Sequence, residues 1–226
     1  MRALKQAKDC KALRLVRSQI WDAVGEATTK LELNLSAVPV RLPTPQRWPC
    51  IQELRIFGAD LAAVEALGSG TWAALRTLRI LLPQHPGLDT PSARALAAAM
   101  RRMPALRALE LLAPLSDAAA EELFRASGAD GAPRLPALRS LAINSTIRVD
   151  DATLLLAAVR MLAASGWRLE ELRLRLKAGE AAAGVAALVA APTFALRCLR
   201  LWHCGLDAAA LLSLAHTPWP LEELEQ

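Results

Sequence analysis

One short pattern recurs along the chain: an apolar residue, two others, an apolar residue, one other, an apolar residue. Seven copies begin at Ile51 (with Leu54 and Ile56), Leu75, Leu106, Leu138, Leu169, Leu196 and Leu221, and a weaker one begins at Thr28 with Leu31 and Leu33. Steps between copies run 23, 24, 31, 32, 31, 27 and 25 residues. Inside each copy the alternation, as in Leu172-Arg173-Leu174-Arg175, has the period of two that turns leucines to one face of a short strand and the intervening residues to the other.

Between the copies lie alanine- and leucine-rich segments with helix start signals. Thr90 followed by Pro91 predicts a cap and first-turn proline for a helix through Met103, and Ser116 or Asp117, Asp150 or Asp151, and Asp207 open others. Gly166 is placed to close the fifth helix. Each unit therefore reads as strand, turn, helix and return. None could bury its own leucines, so stacking must supply the core.

Composition strengthens this picture. Alanine (46) and leucine (43) fill 89 of 226 positions, with 54% hydrophobic and 22% charged residues, which excludes a disordered or collagen-like chain. The longest uncharged run, Ala181 to Leu196, is broken by Gly184 and Pro192 and falls short of a membrane span, and charges from Lys5 onward interrupt any secretory signal. A location in the cytoplasm or nucleus is the resulting expectation. Cys10, Cys50, Cys198 and Cys204 form no Cys-x-x-Cys pair, so reduced and mostly packed thiols are expected and no metal or cofactor.

The sixth copy, Leu196-x-x-Leu199-x-Leu201-x-x-Cys204-x-Leu206, resembles the leucine-rich repeat consensus, and the resemblance runs from about Thr28 to Leu224. It implies an α/β solenoid, a horseshoe of seven to eight repeats over 28–226, with parallel strands on a concave face and helices on the convex face. Pro83, Pro114 and Lys177 depart from the family's turn position, which predicts irregular middle turns. The chain stops at Gln226 inside a repeat, which reads as truncation and predicts an exposed leucine core there.

Residues 9–24, with Asp9-Cys10-Lys11-Ala12-Leu13-Arg14-Leu15-Val16-Arg17 and then Trp21-Asp22-Ala23-Val24, resemble the second half of an F-box. That implies a partial F-box-like helical cap over 1–27, and a tie to a Skp-type ubiquitin-ligase adaptor only if the first half of the motif exists upstream. Leu13, Val16, Ile20, Ala23, Val24 and Ala27 fall at helical spacing and would pack over the first strand.

The repeat register also sorts structure from surface. Trp48, Trp72, Met103 and Leu135 stand three residues before their copies, and Trp167, Phe194 and Trp219 stand two before, a recurrence expected of a packing column. The strand residues facing away from the leucines form the partner surface that the resemblance implies. Phe57 and Trp202 land there, with Arg55, Arg79, Arg173, Arg175 and Arg200. Trp202 reads either as a ligand anchor or as a side chain covered by a further repeat. The cluster of Arg168, Arg173, Arg175, Lys177, Arg197 and Arg200 reads either as a solvated face or as a site for an acidic or phosphate-bearing protein partner. Interleaved glutamates and a net charge of +5 argue against nucleic acid.

Catalysis finds little footing. His85, His203 and His216 share no register with a carboxylate set, neighbouring His203 and Cys204 would point to opposite faces, and Gly68-Ser69-Gly70 lacks the Lys-Ser or Lys-Thr of a phosphate loop. The expectation is a non-catalytic protein-interaction module. The F-box resemblance implies the substrate-recruiting part of a ubiquitin ligase; the alternative is a repeat sensor or inhibitor with no ubiquitin role.

Overall fold

The computed structural model describes residues 28–34, 44–58, 61–82, 88–113, 115–125, 135–143, 156–176, 179–202 and 205–225. Eight short strands occupy the repeated copies: β1 (Lys30–Asn34), β2 (Glu53–Phe57), β3 (Thr77–Leu81), β4 (Ala108–Leu112), β5 (Ser140–Ile143), β6 (Glu171–Arg175), β7 (Cys198–Trp202) and β8 (Glu223–Glu225). They form one sheet in chain order, and every pairing is parallel. From β2 onward a helix follows each strand up to β7: α1 (Leu61–Leu67), α2 (Thr90–Met100), α3 (Asp117–Phe124), α4 (Leu156–Ala163), α5 (Ala181–Val189) and α6 (Ala208–Ala215). Each helix packs beside the next one along the chain. The arrangement is compatible with a solenoid-like repeat.

Register explains why the repeated phrase works. Leu31, Leu54, Leu78, Leu109, Leu141, Leu172, Leu199 and Leu224 are successive pairing partners across the sheet, and so are Leu33, Ile56, Ile80, Leu111, Ile143, Leu174 and Leu201. These two ladders run straight through the core. From β2 to β7 every member is buried, whereas Leu31 and Leu33 at one edge are half-buried and Leu224 at the other is 45% exposed. Leu211, Leu212 and Leu224 are the exposed large hydrophobic residues among those described; the first two lie on the helix Ala208–Ala215 and the third on β8, towards the end where the sequence predicts exposed leucine.

The bulky residue before each copy is buried in all seven cases, from Met103 at 0% to Trp48 at 8% exposure. In four units it also shapes the backbone: Ile51, Leu75, Leu106 and Leu138 each donate their amide to the carbonyl of the bulky residue three positions back. Trp72 donates its indole N–H to the Leu67 carbonyl at the end of α1 (2.9 Å), and Trp167 meets Phe124 of α3 edge-on, with centroids 6.0 Å apart. These tryptophans are packing residues.

Helix starts follow the expected chemistry with one shift. Ser116 and Asp207 cap α3 and α6 by accepting from the amides of Ala119 and Ala210. For α2 the cap is Asp89, which accepts from Ser92 N–H, so Thr90 and Pro91 are the first helical residues and not the cap. The carboxylate outcompetes the hydroxyl because Asp89 has the extended backbone an N-cap needs, while Thr90 is already helical. The start of α4 shows a device the sequence does not announce: Glu180, from the following unit, accepts the amide of Leu156 at 2.8 Å. Beyond the end of α4, Gly166 adopts φ +71°, the left-handed conformation expected of it. The expected N-terminal cap, the Asp150 or Asp151 start and the turn positions Pro83, Pro114, Lys177 and Cys204 lie outside the described residues.

Candidate functional site

Because alternate strand residues point to opposite faces, the pairing register also arranges the side chains turned away from the core into rows. The first row reads Lys30, Glu53, Thr77, Ala108, Ser140, Glu171, Cys198, Glu223; the second, Glu32, Arg55, Arg79, Glu110, Ala142, Arg173, Arg200, Glu225. At the far ends of β2 to β4 a third row joins Phe57, Leu81 and Leu112, and the same row pairs Arg175 with Trp202 across β6 and β7. Every residue the sequence assigns to the partner surface is therefore on this outer face. They form two groups: Phe57, Arg55 and Arg79 on β2 and β3, and Arg173, Arg175, Arg200 and Trp202 on β6 and β7.

Electrostatics separate these groups from a simple basic patch. Arg55 pairs with Glu53 (2.7 Å) and lies 3.9 Å from Glu32; Lys30 reaches Glu53 at 3.1 Å. Arg79 contacts Glu110 at 3.0 Å, Arg173 contacts Glu171, and Arg200 contacts Glu223 (2.6 Å) and Glu225 (3.1 Å). The six basic residues of the face, Lys30, Arg55, Arg79, Arg173, Arg175 and Arg200, are matched by six glutamates, at 32, 53, 110, 171, 223 and 225. Of the remaining cluster, Arg168 and Arg197 lie in the segments entering β6 and β7, where Arg197 pairs with Glu222, and Lys177 lies outside the described residues.

The carboxyls respond to their neighbours. Partial burial alone would raise Glu171, but the Ser140 hydroxyl, which donates to it at 2.7 Å, and the Arg173 guanidinium outweigh burial and hold it below its ordinary value. Glu53 is lowered in the same way, with burial overcome by Arg55 and Lys30. At the open edge the thiol of Cys198, 3.3 Å from Glu223, and the Arg200 guanidinium hold Glu223 down. Burial first, and the Glu223 carboxylate second, push the Cys198 thiol up. That makes it a poor nucleophile at neutral pH.

One feature of the surface escapes a strand-by-strand reading. The residue after the first apolar position of each copy is arginine in four of the seven, and Arg76, Arg107 and Arg139 line up where β3, β4 and β5 begin. Backbone bonds tie the row together: Arg107 N–H donates to the Arg76 carbonyl and Arg139 N–H to that of Arg107. The repeated Leu-Arg dipeptide carries this signal. It lies just outside the alternating stretch on which face assignment rests.

Among the described residues, no group of three or more His, Cys, Asp or Glu is placed to hold a metal ion, and no helix is long and apolar enough to cross a membrane. The Leu212 carbonyl accepts from His216 Nδ1 (2.7 Å) at the end of α6. His85, His203 and Cys204 lie outside the described residues. No family model matches the chain, and no curated protein matches it. The fold is that of an α/β protein with a sequentially ordered, all-parallel eight-stranded sheet alternating with helices.

Proposed function

We propose that this chain is a non-catalytic protein-interaction module of the leucine-rich repeat class, with the outer strand face as its partner surface. The observation that carries the reading is the row structure of that face. The inward half of each strand supplies the core, while the outward half presents charged and apolar side chains in register over eight strands. In the horseshoe that the family resemblance implies, this face is concave and the helices are convex. The charge balance favours a partner that itself alternates acidic and basic groups, with acidic groups opposite the arginines, over a uniformly acidic one.

Reversing Arg173 and Arg175 to Glu tests the β6–β7 end, and reversing Arg55 and Arg79 tests the other. Loss of the same partner from cell extracts with either pair, at unchanged thermal stability, is the expected result. Recovery of the same partners by both variants, with unchanged salt sensitivity, overturns the surface assignment.

The role of substrate recruiter in an F-box ubiquitin ligase rests on residues 9–24, outside the described residues, and the sensor or inhibitor role is its alternative. Extending the coding sequence upstream separates them: a Leu-Pro-containing apolar helix ahead of residue 1 supports the ligase role, and its absence supports the alternative.

A further inference from the structure

The outer face is charged over most of its extent, but at the far ends of β2, β3 and β4 the register brings Phe57, Leu81 and Leu112 into one uninterrupted apolar row. Each is half-buried, so each keeps part of its side chain open to a partner. The row stops at Asn34 on β1. Alongside it, one residue pair back on each strand, run Arg55, Arg79 and Glu110. Arg79 keeps 39% and Arg55 27% of its side chain exposed beside the glutamates they pair with.

We infer that this row receives an amphipathic helix of a partner protein, lying across the strands, with its apolar stripe on Phe57, Leu81 and Leu112 and acidic residues along the flank facing Arg55 and Arg79. The inference rests on the interaction-module reading above and specifies its occupant.

Spacing decides between a helix and an extended segment. Neighbouring strands stand about 4.8 Å apart, so the three side chains span about 10 Å. Helix residues at i, i+3 and i+7 are spaced about 4.5 and 10.5 Å along the axis, a match within about 1 Å over the row. An extended strand repeats on one face every ~6.6 Å and overshoots the third residue by ~3.6 Å. A helix about 10 Å across also covers the adjacent charged row, about 6.6 Å away along the strands, whereas a single extended chain does not. The order of charge, two arginines and then a glutamate, fixes polarity: the partner helix carries acid, acid, base along that flank, which gives it one preferred direction.

Two displayed peptide libraries panned on the full chain test this, one with a randomised face on a fixed helical scaffold and one linear and proline-punctuated. The helical library should yield binders with apolar residues at i, i+3 and i+7 and an acidic flank. Their affinity should fall about tenfold or more on Leu81→Asp, and on Arg55→Glu with Arg79→Glu. The charge-reversed variant should in turn prefer basic-flanked helices, a gain that simple unfolding cannot mimic. Circular dichroism melts confirm that each variant folds, and Phe57→Ser replaces Leu81→Asp if the latter does not. If only the linear library yields binders, and these are lost on Leu81→Asp, the helix inference falls while the face remains the partner surface. If binders from both libraries ignore the substitutions at Arg55, Arg79, Leu81, Arg173 and Arg175, both fall.

Discussion

Truncating one leucine at the same ladder position in different units measures how far the core depends on stacking. Leu109 on β4 is 1% exposed and stands between Leu78 and Leu141, so Leu109→Ala deletes an isopropyl group enclosed by neighbouring units on both sides. Enclosed Leu→Ala changes cost roughly 3 kcal/mol, the sum of lost transfer energy and a cavity that cannot collapse. Leu224 on β8 is 45% exposed and paired only with Leu199. Removing the same atoms there forfeits about half the transfer energy and leaves no cavity, or about 1 kcal/mol. For a chain of this size each kcal/mol moves the melting midpoint by about 2–4 °C, so the expected shifts are about 6–12 °C for Leu109→Ala and about 2–4 °C for Leu224→Ala. Stacked repeats can melt from an end, so thermal circular dichroism is paired with hydrogen exchange, in which Leu224→Ala should affect β7 and β8 amides alone. Equal shifts for the two variants would show that burial by neighbouring units does not set the stability.

Further expectations follow from single contacts. Asp89→Ala should destabilise by about 1 kcal/mol and Thr90→Ala by much less, as read from urea midpoints; the reverse order would return the cap to Thr90. Gly166→Ala should cost about 1–2 kcal/mol from its φ of +71° alone, since an added Cβ meets nothing within 4 Å, and Gly166→Asn should cost less. Glu171 has its folded pKa lowered from 4.5, so its contribution is present above that value and is lost as pH falls through the folded pKa; Glu171→Gln should flatten the acid limb of stability against pH, and an unchanged limb would refute the assignment. Iodoacetamide at neutral pH should label exposed Cys50 before Cys198, whose thiol is pushed up, by peptide mass spectrometry; faster labelling of Cys198 would contradict its placement.

The strands were legible because period-two alternation of Leu and Ile needs no long-range knowledge, and the same parity correctly placed Arg55, Arg173 and Trp202 on the outward face. The within-strand pair Arg173 and Glu171 follows from that parity too. Contacts between units do not: the Ser140 hydroxyl on Glu171 and the Arg200 guanidinium on Glu223 depend on which residues the register sets side by side, across loops of unequal length. Hence a cluster that reads as basic in sequence becomes charge-balanced on the sheet. The apolar character of Phe57, Leu81 and Leu112 was visible residue by residue, but their continuity emerged only from the pairing of β2, β3 and β4. Asp89 lay one residue outside the expected start of its helix, where a Thr-Pro pair offered a competing cap.

On the proposed reading, partners bind the outward strand face and not the helices. Site-specific photo-crosslinking in cells tests it most directly, with the photoreactive residue placed at Phe57, Leu81, Arg173 or Trp202 on the strands and at exposed Arg94 or Arg160 on the helices. Crosslinks from the strand positions to one discrete partner, absent from Arg94 and Arg160, are the predicted result. Crosslinks to a discrete partner from the helix positions, with none from the strands, would contradict it.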